Sequence, residues 1–345
     1  MGTPDVKVET GRAFWAGSSG VWAGQQLMNA IANGGEANFR PQALRACNTL
    51  QKDEWKYFDT TLVTSAALRL RGVADLLAAG LTVNVPNSFG KTVYEYEKVG
   101  DWSGAQVSMD GMVNTDNDRV EFSLGGLPLP ITHKDFWINL RTLVASRTKG
   151  EALDTLQIRL AGRKIAEATE DMLFNGGRTW GGYTIYGYRT HPNRNMAQFS
   201  SSLPWSDASK TGDQRLTDVG TMISKLEADG YTSGPYWLYL PPDASFGLDA
   251  DFKTASDRTV RERLLAVDRL QKISFSDKLA TGQAIMIQAT EDVVVMVNGE
   301  PLQTIQWDVN GGMQINFKAM QISVPLIRSD YSTNVGVVHM TTTGS

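Results

Sequence analysis

The side chains with the widest chemical range in this sequence are three histidines, one cysteine and a few neighbouring carboxylates. His133, His191 and His339 lie far apart in the chain, and none stands in an HExxH pair, whose two imidazoles one helical turn apart would hold zinc. A hydrogen-bonded or surface role is expected for each. Glu95/Glu97, Glu170/Asp171 and Glu291/Asp292 are paired carboxylates, but glycosidase chemistry needs two carboxyls held across a cleft, and no accompanying motif marks these pairs. Asp116, Asn117 and Asp118 offer oxygens to calcium yet lack the spaced ligands and distal glutamate of an EF-hand, so they read as a solvated turn. Cys47, alone, excludes an intrachain disulfide and any CxxC or Cys/His zinc site, and reads as a small buried apolar residue. A GxSxG elbow, a GxxxxGK(S/T) phosphate loop and a strand-borne GxGxxG are all missing from the sequence. The expectation is therefore no catalytic residue, no cofactor, no metal and no enzyme.

Composition narrows the classes further. The 345 residues (37.8 kDa) are 41% hydrophobic and 20% charged, which is globular and long enough for two core-bearing domains. The formal charge is −4 and no basic block stands out, so any nucleic-acid contact is expected to be weak and non-specific. The N-terminus lacks the basic start and apolar run of a secretory signal, and no segment approaches the roughly 20 apolar residues that span a bilayer. A soluble protein without membrane contact is expected.

The elements that would position functional side chains follow from periodicity. Residues 1–48 form a Gly/Ala/Asn-rich arm that nevertheless carries Phe14, Trp15, Trp22 and Phe39, a composition suited to docking rather than free coil. Residues 49–81 read as helix broken near Gly72, with Gly80 as its stop. Residues 82–126 read as a long two-stranded β excursion: "KTVYEYEKV" is β-branched and aromatic, and Val120, Phe122 and Leu124 alternate against Arg119, Glu121 and Ser123. Because an isolated hairpin is marginal in water, this one needs a partner surface in its own or another chain.

A strand in "LPLPITHKDFWINL" then feeds a long helix over 151–174. Its predicted start is a capping box at Thr148 and Glu151, its buried stripe is Ala161, Ile165, Ala168 and Met172, and its end is the "NGG" at 175–177. Such a rod would be roughly 36 Å long. Downstream, a helix capped at Thr217, a strand "PYWLYLPP", a helix over "DRTVRERLLAVDRLQKI" and several buried strands alternate without a βαβ period, which argues for an α+β fold. Aromatic and apolar residues in segments that cannot stand alone are the candidates for subunit interfaces: Phe14, Trp15, Trp22, Phe39, Tyr94, Tyr96, Trp102, Val120, Phe122 and Leu124.

In order along the chain, "RGVADLLAAGLTVNV", "YEYEKVGDWSGAQVSMDG", "LPLPITHKDFWINLRTLVASRTKGEALDTLQ", "EDMLFNGG", "YTIYGYRTHPNRN" and "PLIRSDYSTNVGVVHM" resemble a tailed-phage major capsid protein of the encapsulin-like (linocin) group. The resemblance implies the Hong Kong 97 phage capsid fold. In that fold 1–48 would be an N-terminal arm, 82–126 the extended loop, 127–216 with 311–345 the peripheral domain, 151–174 its spine helix, and 217–310 the axial domain. It implies self-assembly into pentamers and hexamers of an icosahedral virion shell in the bacterial cytoplasm. Portal, scaffolding and decoration proteins and packaged double-stranded DNA would be the partners.

Some capsids of this fold join a loop lysine to a neighbour's asparagine; Lys91, Lys98 and Asn334 are available, but their local sequence reads as exposed lysines and a turn asparagine. Encapsulin shells enclosing cargo enzymes share the fold, and a soluble α+β enzyme with a cleft shares the composition. Particles against a discrete small species separate the last from the other two.

Overall fold

The structure, a computed structural model, describes residues 52–67, 69–99, 107, 109, 122–149, 156–232, 234–253, 258–330 and 332–343. In chain order the elements are helices α1 (Lys52–Ala67) and α2 (Gly72–Ala78), strands β1 (Thr82–Asn84), β2 (Val93–Val99), β3 (Phe122–Pro128) and β4 (Thr132–Asn139), and helices α3 (Leu140–Lys149) and α4 (Leu156–Phe174). Strands β5 (Arg178–Trp180), β6 (Tyr183–Ile185) and β7 (Asn195–Gln198), helix α5 (Gly212–Ala228), strand β8 (Tyr236–Leu240) and helices α6 (Ser245–Asp249) and α7 (Val260–Leu265) follow. The chain closes with β9 (Leu270–Phe275), β10 (Gln283–Gln288), β11 (Val294–Val309), β12 (Gln314–Ile327) and β13 (Val337–Thr341).

Two compact units divide these elements. The smaller takes α1, residues 133–165 and 302–321; the larger takes 69–132, 166–301 and 322–345. In the smaller unit, alternation sorts the strands: Phe136 and Ile138 of β4, with Ile315, Phe317 and Ala319 of β12, face a core shared with Leu62, Leu143, Ile158, Ala161 and Ile165. Phe136 stacks on Phe317 with ring centroids 5.1 Å apart. Gly162 lets α4 close on α1, since a Cβ there would sit 2.7 Å from the Leu62 carbonyl oxygen.

The larger unit is built on a five-stranded mixed sheet ordered β7-β13-β10-β8-β9, in which β13/β7 and β8/β9 run parallel and β10 is antiparallel to both its neighbours. Both faces are covered, so β8 is buried at every position. Tyr236, Leu238, Leu240, Met286 and Met340 enter one core with Val219, Met222 and Leu226 of α5. Trp237, Tyr239, Ile285, Ile287 and Val337 enter the other, with Leu173, Phe174 and Tyr188. Helix α2 starts on Glu170 of α4, whose carboxylate accepts from the backbone N–H groups of Gly72 (2.8 Å), Arg71 and Val73 (3.2 Å each). That single side chain satisfies three orphan donors of a helix start. A second sheet has the order β1-β11-β12-β4. Where β12 belongs to the larger unit, residues 322–327 are buried without interruption.

Several expectations hold. The α1/α2 break falls just before Gly72, Gly80 has φ +74°, and α4 ends at Phe174 before Gly176 and Gly177, both at positive φ. Others are corrected. Thr148 lies in the last turn of α3 and starts no helix there; α3 begins directly after β4, where the Asn139 side chain accepts from the Arg141 N–H at 2.9 Å. Helix α5 is capped by Thr211 with Gln214 in a reciprocal capping box, and Thr217 sits inside it, its hydroxyl donating to the Asp213 carbonyl. The helix expected over 257–273 stops at Leu265, because residues 270–275 pair in parallel with β8 and tertiary pairing overrides the helical pattern. Of the expected excursion at 82–126, β1 leaves to pair with β11.

Candidate functional site

The extended hairpin is the first surface to consider. Strands β2 and β3 pair antiparallel from Val93↔Pro128 to Val99↔Phe122. Its inner face carries Tyr94 and Tyr96, which pack on a core of Val85, Leu127, Leu129, Met172, Ile185, Val295 and Ile322. Gly125 lies under Tyr96, where a Cβ would approach the ring to 2.6 Å, and Gly126 lies under the ring of Tyr183. The partner surface that the hairpin needs is thus supplied in part by its own chain. Burial pushes the Tyr96 hydroxyl pKa up, against the pull of Arg328. The outer face pairs Glu97 with Leu124 and Glu95 with Gly126; Leu124 is 70% exposed and both glutamates face solvent.

Of the sequence-predicted interface residues, the structure therefore turns Tyr94 and Tyr96 inward and leaves Leu124 outward. Phe14, Trp15, Trp22, Phe39, Trp102 and Val120 lie outside the described residues, as does the side chain of Phe122. Lys91 is exposed, and Asn334 sits in a turn whose N–H donates to Asp330 Oδ1 at 2.7 Å.

Two further apolar surfaces were not singled out from the sequence. In the smaller unit the face of β4, β11 and β12 opposite the core presents Trp137 (55% exposed), Ile305 and Trp307, with Lys318 bridging Asp135 at 3.5 Å and lying over the Trp307 ring. The signal was present in the alternation of "DFWIN", where Trp137 must face away if Phe136 and Ile138 face in. On the first half of α4, Leu156 and Leu160 are exposed among Arg159, Arg163 and Lys164, a basic and apolar strip. The hairpin's outer face is acidic and apolar. These two surfaces have opposite charge.

In the larger unit a groove of about 710 Å³ is lined by Lys210, Thr211, Asp213, Arg215, Phe246 and Lys253, among others. Its floor is held by a buried ion pair, Lys210 to Asp218 at 2.7 Å, with both side chains at most 1% exposed. Phe246 at its rim is 86% exposed. Among the described residues no cluster of three histidine, cysteine, aspartate or glutamate side chains could hold a metal ion. The histidines are less scattered than the sequence suggested: Arg194 donates from Nη1 to the His191 carbonyl (2.9 Å) and from Nε to His339 Nδ1 (3.4 Å), so one arginine joins two of the three. His133 lies exposed on β4. No helix among the described residues is long and apolar enough to cross a membrane.

With the fold and surfaces in hand, the family described as "Family of unknown function (DUF6260)" matches residues 44–340. The chain belongs to the DUF6260 family. No curated protein matches this DUF6260 chain. Among solved structures, the virus-like particle from Pyrococcus furiosus aligns at 15% identity with a TM-score of 0.59, covering 83% of this chain and 98% of that one. The capsid of Myoviridae phage XM1 aligns at 13% identity and TM-score 0.55, covering 76% and 90%. The capsid of a native GTA particle gives 13%, 0.55, 79% and 91%. The DUF6260 chain thus has the α+β fold of these shell proteins, which is the fold that the sequence resemblance implied.

Proposed function

We propose that this DUF6260 protein is a major capsid protein, whose copies close into pentamers and hexamers of an icosahedral shell around the double-stranded DNA of a tailed phage. The observation that carries this reading is a capsid fold along three quarters or more of the chain, joined to exposed aromatic and apolar surfaces on a hairpin, a sheet face and a helix. Heterologous contacts between such surfaces generate rings when their rotation closes. Many modest contacts on one particle then act together through high effective concentration.

In this reading the peripheral domain is built around the spine helix and the axial domain on the five-stranded sheet, so that β7 and β13, which fall in the ranges 127–216 and 311–345 expected to be peripheral, go with 217–310 in the axial domain. The arm, with Phe14, Trp15, Trp22 and Phe39, reaches adjacent copies. The hairpin lies on a neighbour's α4: Glu95 and Glu97 beside Leu124 meet Arg159, Arg163 and Lys164 beside Leu156 and Leu160, a complementarity that favours docking and fixes its register. The role is assembly without catalysis, in the virion, with portal, scaffolding and decoration proteins and weakly held DNA as partners.

Charge reversal tests the docking. Glu95→Lys with Glu97→Lys should abolish particles in sedimentation velocity, and adding Arg159→Glu with Arg163→Glu should restore them. Particles that form normally with the reversed hairpin would contradict it. Nucleic acid inside particles from the native source supports a phage head; enclosed enzymes in its place would make the shell an encapsulin.

A further inference from the structure

The turn "RTWGGYTI" carries two aromatic rings that none of the described cores takes in. Strands β5 and β6 pair antiparallel, Arg178↔Ile185, Thr179↔Thr184 and Trp180↔Tyr183, and Gly181 and Gly182 close the turn at φ +59° and +84°. Two successive residues at positive φ are what a tight two-residue hairpin needs, and glycine takes them without strain. The Thr179 and Thr184 hydroxyls share a hydrogen bond at 2.9 Å, and Arg178 is engaged by Asp171 at 3.8 Å. These contacts hold the turn in one shape, yet Trp180 and Tyr183 at its tip are 43% and 41% exposed and belong to no hydrophobic core.

The place of the turn says what its shape serves. The Tyr183 ring fills the space that a Cβ on Gly126 would need. Gly126 pairs with Glu95 and Leu124 with Glu97, so alternation puts all four on the outer face of the β2–β3 hairpin. Trp180, Tyr183 and Leu124 thus form an exposed aromatic and apolar ridge edged by two glutamates, all within the larger unit. In the smaller unit, helix α4 carries the counterpart: Leu156, Arg159, Leu160 and Arg163 recur at three- and four-residue spacing. At 1.5 Å per residue that exposed stripe is roughly 10 Å long. Guanidinium groups both stack on Trp and Tyr faces and pair with carboxylates, and Trp, Tyr and Arg are the residues in which binding energy concentrates.

We infer that Trp180 and Tyr183 anchor the contact between copies, packing on the Leu156, Arg159, Leu160 and Arg163 stripe of a second copy of this chain while Glu95 and Glu97 meet its cations. The inference rests on the docking of the hairpin on α4 proposed above and adds the aromatic turn to it. A second copy is the occupant because the ridge is acidic at its edge and the chain's own α4 carries the basic and apolar complement.

Photo-crosslinking tests it. Full-length chains with p-benzoylphenylalanine in place of Trp180, mixed equally from isotopically light and heavy preparations, are assembled, irradiated and mapped by mass spectrometry. Crosslinks of mixed isotope to residues 156–164 are expected. Trp180→Ala, at an exposed tip whose turn the glycines hold, should raise the concentration needed for assembly about tenfold or more in sedimentation velocity, the loss of one hot-spot side chain. Crosslinks that go to other segments or never mix isotopes, or assembly of Trp180→Ala at the wild-type concentration, would each overturn the inference. The reversed-charge hairpin separates it from the docking beneath it. If Glu95→Lys with Glu97→Lys loses particles and Arg159→Glu with Arg163→Glu restores them while Trp180→Ala assembles normally, the docking stands and its aromatic anchors fall; if the wild type forms no particles, both fall.

Discussion

Replacing Asp218 by alanine removes a carboxylate on which three donors converge: Lys210 Nζ, Trp205 Nε1 and the Ser200 backbone N–H, each at 2.7 Å. Burial pulls the Lys210 ammonium's pKa down while Asp218 pulls it back up, so the aspartate is what keeps that lysine charged in the interior. Breaking a buried ion pair by deleting one partner costs about 3–5 kcal/mol, and the stranded Trp205 and Ser200 donors each cost about 1–3 kcal/mol more, less than additively. Asp218→Ala should therefore lower stability by about 4 kcal/mol or more, against a total of about 5–15 kcal/mol for a typical domain.

The double variant Lys210→Met, Asp218→Leu removes both charges and should cost about 2–4 kcal/mol, mostly for the two N–H donors left behind. Urea unfolding of the unassembled chain, followed by tryptophan fluorescence, reads both values. A loss below about 1 kcal/mol for Asp218→Ala would refute the reasoning, as would a double variant costing more than the single one.

His339 makes a pH prediction. Burial, then Arg194 and Arg189, hold its pKa at about 4 against an ordinary 6.5, so the unfolded chain binds the proton first. Stability is fully present above about pH 6.5 and falls by up to about 3 kcal/mol as pH drops to 4, and acid unfolding of His339→Gln should lack that component. Gly125→Val should cost about 1–3 kcal/mol by forcing Tyr96 off the hairpin, seen as a lower thermal midpoint and faster proteolysis within residues 93–128.

Much of the local structure was legible in the sequence because local signals decide it. The "NGG" stop of α4, the proline-bounded "YWLYL" strand and the hairpin's β character all depend on neighbours a few residues away. Thr211 against Thr217 is a legible signal that sequence reasoning missed: Thr211 is followed three residues on by Gln214, the capping-box spacing, whereas Thr217 is followed there by Gly220. Residues 270–273 carry a helical pattern that pairing with β8 overrides. Tyr94 and Tyr96 were expected at an interface, yet the close approach allowed by Gly125 and Gly126 turns the inner face of the hairpin onto its own chain. The outward side of Trp137 is legible in the alternation of "DFWIN", but the gathering of Asp135, Trp307 and Lys318 and the meeting of His191 with His339 through Arg194 each join residues more than a hundred positions apart, which no window of sequence reports.

The most direct test of the assembly account is a cryo-electron microscopy reconstruction of the full-length protein, at a resolution that traces the backbone. The account predicts closed shells of pentamers and hexamers in which residues 93–128 of each copy lie along helix α4 of the adjoining copy. A stable monomer or dimer under every assembly condition, or shells in which the hairpin contacts no neighbour, would contradict it.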